Sequence, residues 1–373
     1  MSNKPNQFHD WMDLFRFAAA TVVVISHARD VLMVDYSSAK TALFFYAATG
    51  LGHSGVIVFF VLSGFWISQS VLRRFDLANF WGNYLIDRVS RLGIVLLPAL
   101  VIGGLLDYWG SAVLHLPAYM GGTGAHSLEA GIAGRLAPAV LLGNVLFLQT
   151  IVVNTWGSNG PLWSLANEFW YYVWFPALAL LIARRRLSLG LLGLAVGWFN
   201  PDIGLGFCSW LLGAGLSQVI ERRWQWGRSV LARRAVAWGA AALFLAVLAI
   251  AGLFKGHQFD VPLALTFAVL LFGLLNGAVP MPAVLYPLAR YGHYASFSLY
   301  ITHFPIIALI GGWLTIGGRM APGLWPMLLV IGLTIVCQII ALGFASQTEA
   351  RTAAVRVQVK RWFASPQASE PAR

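Results

Sequence analysis

Charge is scarce in this chain. Asp, Glu, Lys and Arg make up 10% of its 373 residues against 58% hydrophobic ones, and only 14 residues are acidic. Soluble domains carry roughly a quarter charged residues, so an ordinary soluble class is excluded. Cysteine is nearly absent: Cys208 and Cys337 both lie in apolar segments, where a thiol behaves as a small hydrophobe. Neither a disulfide framework nor a metal cluster is implied, and no metal site is expected. The short alternating strands of an outer-membrane barrel are missing. Missing too is a contiguous basic domain: the net charge of +11 comes from Lys and Arg spread over short loops, which argues against a nucleic-acid partner. The first thirteen residues are mostly polar, with Asp10 and Asp13, and lack the basic start and small-residue site of a cleavable leader. The first apolar helix is therefore expected to stay in the mature protein.

What remains is a set of long apolar runs, with a mean hydropathy of +0.72. Runs of roughly 17–25 residues suit the hydrocarbon thickness of a bilayer, and backbone satisfaction in lipid makes them helices. The reading is an all-α polytopic membrane protein in contact with membrane lipids. About ten crossings are expected, near 13–33, 54–72, 89–109, 162–183, 187–201, 203–220, 234–254, 260–277, 296–316 and 322–345. A further apolar stretch at 138–153 is ambiguous, and Lys/Arg placement arbitrates. If it does not cross, all of the 25 except Arg29, Lys40, Arg135, Lys255 and Arg319 fall on one side. The positive-inside rule then puts both termini in the cytoplasm, and 138–153 becomes a re-entrant or interfacial segment over the outer face. The expected location is the bacterial inner membrane. Residues 110–161 form the longest non-cytoplasmic stretch and could roof a cavity. Residues 1–346 are expected to form one membrane domain and 347–373 a basic cytoplasmic tail that starts as an amphipathic surface helix and ends, in "SPQASEPAR", in a stretch whose composition is that of a disordered segment.

Several ionisable residues fall inside these apolar segments, where they are costly and functional by default. Arg16 and His27 are eleven residues apart, about 16 Å along a helix and close to three full turns, so they share a side. A snorkelling arginine and a histidine bonded to a neighbouring helix remain open as the simpler account. Arg88 and Arg91, in "RVSR", sit one turn apart and can form a fork for phosphates, or else serve as flanking topology signals. In "PLWSLANEFWYYVWFP", Ser164, Glu168 and Tyr172 recur every four residues on one helical stripe. A carboxylate that deep needs a partner, with a histidine or arginine from another helix as the expected one. "FSLYITHFPI" adds Ser298, Tyr300 and a second intramembrane histidine, His303, for which a structural role stands beside a site role. Ser63-Gly64 reads as a small-residue surface for close helix approach and not as a nucleophile.

Together these segments resemble the acyltransferase-3 family of integral membrane O-acyltransferases, from Phe15 to the tenth crossing. "RFAAATVVVISH" is similar to that family's basic residue, ten-residue spacer and histidine; "GVIVFFVLSGF" resembles its second-helix signature and "RVSR" its paired arginines. "WSLANEFWYYVWFP" and "SLYITHFP" resemble its Trp-Ser-Leu/Glu and Ser-Leu-Tyr/His segments. Two positions depart from the family pattern: Ile57 stands where a polar or acidic residue is frequent, and Phe169 where a second acid often follows the glutamate. The chain lacks the extra extracytoplasmic domain of some relatives, so the chemistry is expected to finish in the membrane domain or pass to another protein.

The resemblance implies transfer of an acyl group, commonly acetyl, from cytoplasmic acyl-CoA to a hydroxyl of a glycan or lipid-linked sugar. Acyl-CoA would be a co-substrate, with no bound cofactor, and a polysaccharide synthesis or export complex is a conceivable partner. Arg16, Arg88 and Arg91 would hold the CoA phosphates. His27 would act as general base or transient acyl carrier, with Glu168 orienting an imidazole. Ser164, Tyr172, Tyr300 and His303 would support the acceptor or the site. A proton-coupled transporter of a sugar or organic anion, with His27, Glu168 and His303 as its relay, is the competing reading. A scaffold for a polysaccharide synthase accounts for the helices but not for the polar residues inside them.

Overall fold

The computed structural model describes residues 7–36, 42–74, 79–128, 131–184, 200–222, 229–254 and 256–363. The described residues contain no β-strand, only two isolated bridges. The helices are α1 (Gln7–Leu32), α2 (Leu43–Thr49), α3 (Gly52–Leu72), α4 (Phe80–Tyr108), α5 (Pro138–Val145), α6 (Leu162–Arg184), α7 (Pro201–Glu221), α8 (Val230–Phe254), α9 (Asp260–Asn276), α10 (Tyr286–Leu314), α11 (Leu324–Gln347) and α12 (Thr352–Phe363). Among them, 8 segments are long and apolar enough to cross a membrane. The other two expected crossings differ in kind. The first, α6, runs over 23 residues, which is length enough to cross, but is not among the eight. The second, 187–201, lies outside the described residues. At 8 residues, α5 spans about 12 Å and is too short to cross, so the ambiguous stretch lies against the bundle end.

Three helices form the centre. In α3, residues face protein nearly all round, with Phe60, Val61, Leu62 and Phe65 at most 3% exposed. It packs against α1 on one side and α7 on the other. Lipid offers no hydrophobic drive for helix association, so close backbone approach must supply it through van der Waals contact. A Cβ on Gly64 would sit 2.0 Å from the Trp210 carbonyl oxygen, and one on Gly213 would sit 1.9 Å from that of Val61. The Ser63-Gly64 pair is thus a close-approach surface, as its small size suggests. The tightest union of all joins α1 and α10. There, Gly292 lets α10 run against the Asp13 carbonyl, which a Cβ would meet at 1.9 Å. That contact brings Arg16 and the second histidine's helix together.

Each end of the bundle is closed differently. At the Arg16 end, α12 lies on α4: Lys360 Nζ is 2.8 Å and Arg356 Nε 3.7 Å from Asp87. The tail therefore begins as a docked helix, and the start of α1 and α12 lie at the same end. At the other end the 109–161 segment is pinned by polar bonds. Asp107, fully buried in α4, accepts from the Ser158 backbone N–H and hydroxyl, both at 2.7 Å. Trp156 Nε1 donates to the Leu100 carbonyl at 2.8 Å, and Asn144 Oδ1 accepts from the Trp156 N–H.

Candidate active site

Two cavities open into the bundle, one toward each end. The first, of about 430 Å³, lies at the Arg16 end and collects residues from five helices and the α11–α12 junction. Arg16 comes from α1, Arg88 and Arg91 from α4, Ser164, Glu168 and Tyr172 from α6, and Tyr300 from α10. Seven of the nine expected site residues thus share one space, although they are spread over almost 300 positions of sequence.

Its acids and bases are partitioned. Asp13 accepts from Arg16 Nη1 at 2.7 Å and sits 3.2 Å from His293. Glu349 is taken by Ser298, whose N–H and hydroxyl donate to it at 3.2 and 2.8 Å. Glu168 accepts from the Tyr172 hydroxyl at 2.5 Å, the i, i+4 stripe closing on itself. Arg88 lies over the Tyr84 and Tyr172 rings, at 5.7 and 6.0 Å. Among the described residues, no carboxylate lies within ion-pair distance of Arg88 or Arg91. Arg88, held by ring faces, keeps its fork of donors for a ligand, and with Arg91 one turn on, two guanidinium groups on one helix face suit a phosphorylated anion. Deeper in, Ser164 Oγ and Tyr300 Oη are 2.6 Å apart, and Tyr300 donates to the Pro161 carbonyl at 3.1 Å.

The second cavity, about 520 Å³, opens at the other end and holds His27. Its imidazole is not oriented by Glu168, which lies in the first cavity with Tyr172. The acid that serves His27 is Asp30, through Ser127 of the 109–161 segment. Asp30 Oδ2 accepts from the Ser127 N–H at 2.8 Å and from its hydroxyl at 2.6 Å, and Ser127 Oγ lies 3.3 Å from His27 Nδ1. Donor counting fixes the rest. With its one proton committed to Asp30, Ser127 Oγ can only accept, so His27 Nδ1 carries the proton and Nε2 is a free base. The roof expected over a cavity is therefore a wall that holds the histidine. Asp30 was legible as a second ionisable group one turn beyond His27; Ser127 left no signal, being 97 residues away.

His303 lies between His27 of one cavity and Tyr300 of the other. It is fully buried, its ring centroid 5.4 Å from that of His27 and 5.9 Å from that of Tyr300. Its Nδ1 donates to the Tyr300 carbonyl at 2.7 Å, which leaves Nε2 as a buried acceptor with no partner. A polar file thus runs Ser164, Tyr300, His303, His27, Ser127, Asp30 through the apolar bundle. Local sequence explains its centre. Pro305 has no N–H to donate to the Ile301 carbonyl one turn back, and Asn159 Nδ2 satisfies that carbonyl at 2.8 Å.

Membrane-length helices enclosing cavities lined by titratable side chains define an integral membrane protein. The chain belongs to the acyltransferase-3 family: the family's acyltransferase domain matches residues 9–343, nearly the whole length. Acyl transfer is thereby its general activity. Comparison with curated proteins and with solved structures gave no match.

Proposed function

We propose that this protein transfers an acyl group, acetyl before others, from cytoplasmic acyl-CoA to a hydroxyl of a cell-surface or exported polysaccharide or lipid-linked sugar. The observation that carries the proposal is the file of polar side chains between two cavities of different character. The cavity at the Arg16 end offers Arg88 and Arg91 to the phosphates of CoA, and its inner wall of Ser164 and Tyr300 lines the way by which the thioester arm would reach His27. The cavity at the other end offers His27 as a base to the acceptor hydroxyl.

The reaction breaks the thioester C–S bond and forms an ester C–O bond, and the hydroxyl proton ends on the CoA thiolate. His27 Nε2 takes that proton as attack proceeds, a contribution of typically 10²–10⁴ in rate. Ser127 and Asp30 hold the ring in the tautomer that can do so, as the buried carboxylate does in a catalytic triad. His303, with its own unprotonated Nε2 and its ring centroid 5.4 Å from that of His27, would relay the proton toward the departing thiolate. The membrane placement follows from the charge asymmetry: the arginine-rich end, where α12 docks and α1 begins, is the cytoplasmic one, as in a bacterial inner membrane.

The deciding experiment uses purified protein in detergent with radiolabelled acetyl-CoA, paired with mass spectrometry of surface glycans from cells with and without the protein. Acetyl-CoA turnover that is lost in His27→Ala, together with lost glycan acetylation, is expected. A protein that turns over no acyl-CoA in detergent but moves a sugar or organic anion across sealed vesicles under a proton gradient would replace this reading with the transporter.

A further inference from the structure

Outside the polar file, one cluster of ionisable side chains lies on the wall of the second cavity. His53 is the second residue of α3, Asp260 the first residue of α9, and His257 lies in the single turn, His257–Phe259, that leads into α9. Their ligating atoms all lie within 4.8 Å of one another. His53 Nε2 is 2.8 Å from Asp260 Oδ1 and His257 Nδ1 is 3.3 Å from Asp260 Oδ2. We infer that His53, His257 and Asp260 form a binding site for a divalent transition-metal ion of the zinc class.

Four features carry this. The donor set is two imidazole nitrogens and one carboxylate, the three-ligand set that zinc takes when its fourth position is open, and nitrogen donors disfavour magnesium and calcium. The rings are held before any ion arrives: Trp163 stacks on His53 at 6.0 Å and 14°, and the His257 ring meets it edge-on at 5.0 Å and 87°. The carboxylate is buried, at 7% side-chain exposure, while His53 and His257 are 38% and 61% exposed, so an ion has an anchored base and an open approach. Lastly, the helix dipole already accommodates an acid at the start of α9, which leaves the arrival of a histidine from α3, 207 positions away, unexplained by helix capping. Tetrahedral bonds of about 2.0–2.2 Å require ligand atoms roughly 3.5 Å apart. The contraction falls on His257, which follows Gly256 at φ 132 on an exposed turn that can adjust. The open position would face the cavity of about 520 Å³ shared with His27, where a Lewis acid can hold a hydroxyl or carboxylate oxygen. The sequence shows no metal spacing here, since His53 and the His257–Asp260 pair meet only in the fold.

The test needs no acyl-CoA, so its failure leaves the transferase reading standing. Tag-free full-length protein in detergent is stripped with chelator, titrated with Co²⁺ and then Zn²⁺, and followed by visible ligand-field absorption and by elemental analysis after desalting. One ion per chain is expected, with affinity falling by at least about tenfold in His257→Ala and Asp260→Asn, since even outer-shell changes cost 10–100-fold. His115→Ala, on an exposed loop, should bind as the wild type does. His257 is largely exposed, so its variant folds regardless of the outcome. Absence of a Co²⁺ band in the wild type, or equal binding by His257→Ala, would overturn the site.

Discussion

Removing Asp30 should harm the enzyme more than removing Ser127, although Ser127 is the residue that touches His27. In Ser127→Ala, His27 Nδ1 loses a neutral hydrogen bond of 3.3 Å. Such a bond is worth about 1 kcal/mol net, which is roughly fivefold in rate. In Asp30→Ala, the Ser127 hydroxyl no longer has an acceptor at 2.6 Å and turns its proton toward His27 Nδ1. The ring proton then moves to Nε2, the base is lost, and the cost approaches the wrong-tautomer penalty of triads, on the order of 10²–10⁴ in kcat. Asp30→Asn should be mild, because one amide oxygen can accept both Ser127 bonds as Oδ2 does now. The double variant Asp30→Ala, Ser127→Ala removes the misdirected donor along with its cause. It should recover toward the roughly fivefold loss of Ser127→Ala alone. The assay is steady-state acetyl-CoA turnover in detergent, with size-exclusion profiles matched between variants. A double variant slower than Asp30→Ala would refute the tautomer argument, since it would mean that both residues act by independent support of the 109–161 segment.

Arg88→Lys and Arg91→Lys keep the charge but lose the planar fork, so each should raise KM for acyl-CoA more than it lowers kcat in the same detergent assay. Gly213→Ala places a methyl 1.9 Å from the Val61 carbonyl; overpacking of about 1–3 kcal/mol should lower the thermal midpoint by roughly 1–4 °C, whereas Gly239→Ala, with nothing within 4 Å, should leave it unchanged or raise it. Asp35 lies outside the membrane helices, and the Arg319 guanidinium bonded to it at 3.0 Å holds its carboxyl below the ordinary range. The folded state is therefore favoured above the ordinary carboxylate pKa and loses that advantage as pH falls through the lowered value. Because Asp35 is 45% exposed the effect is small: the midpoint difference between wild type and Asp35→Asn should be a degree or two at neutral pH and vanish in acid.

The sequence made each helix legible and its partners illegible, for a physical reason. Apolar length and the 3.6-residue period are local, so they identify α1 or α10 and the face on which Arg16 and His27 or Tyr300 and His303 lie. They also showed the Ser164, Glu168, Tyr172 stripe, and the bond from Tyr172 to Glu168 is that stripe realised. What pairs across the bundle is decided by helix packing, and packing is set by glycines such as Gly64, Gly213 and Gly292 whose neighbours lie far away in the chain. Hence a buried acid and a buried histidine suggested each other, while the structure gives Glu168 a tyrosine of its own helix and gives His27 a loop serine. In α6 the polar residues that line the cavity at the Arg16 end, Ser164 and Glu168, sit in the first turns of a helix whose later part is apolar, so its site residues and its membrane length were both legible at 162–183.

Backbone satisfaction explains why the polar file sits where it does. A buried histidine in an unbroken helix would have its backbone fully used and its ring free to choose among rotamers. Pro305, two residues after His303, removes one backbone bond and so creates a carbonyl, that of Ile301, which must find a donor inside the membrane. Asn159 supplies it from the far end of the 109–161 segment, at 2.8 Å. The segment that carries Ser127 to His27 is thus tied, by one proline's deficit, to the helix that carries His303. Two imidazoles from α1 and α10 and the loop that orients one of them become a single unit. The cost of placing ionisable groups in an apolar bundle is met by backbone groups that the fold had to satisfy in any case.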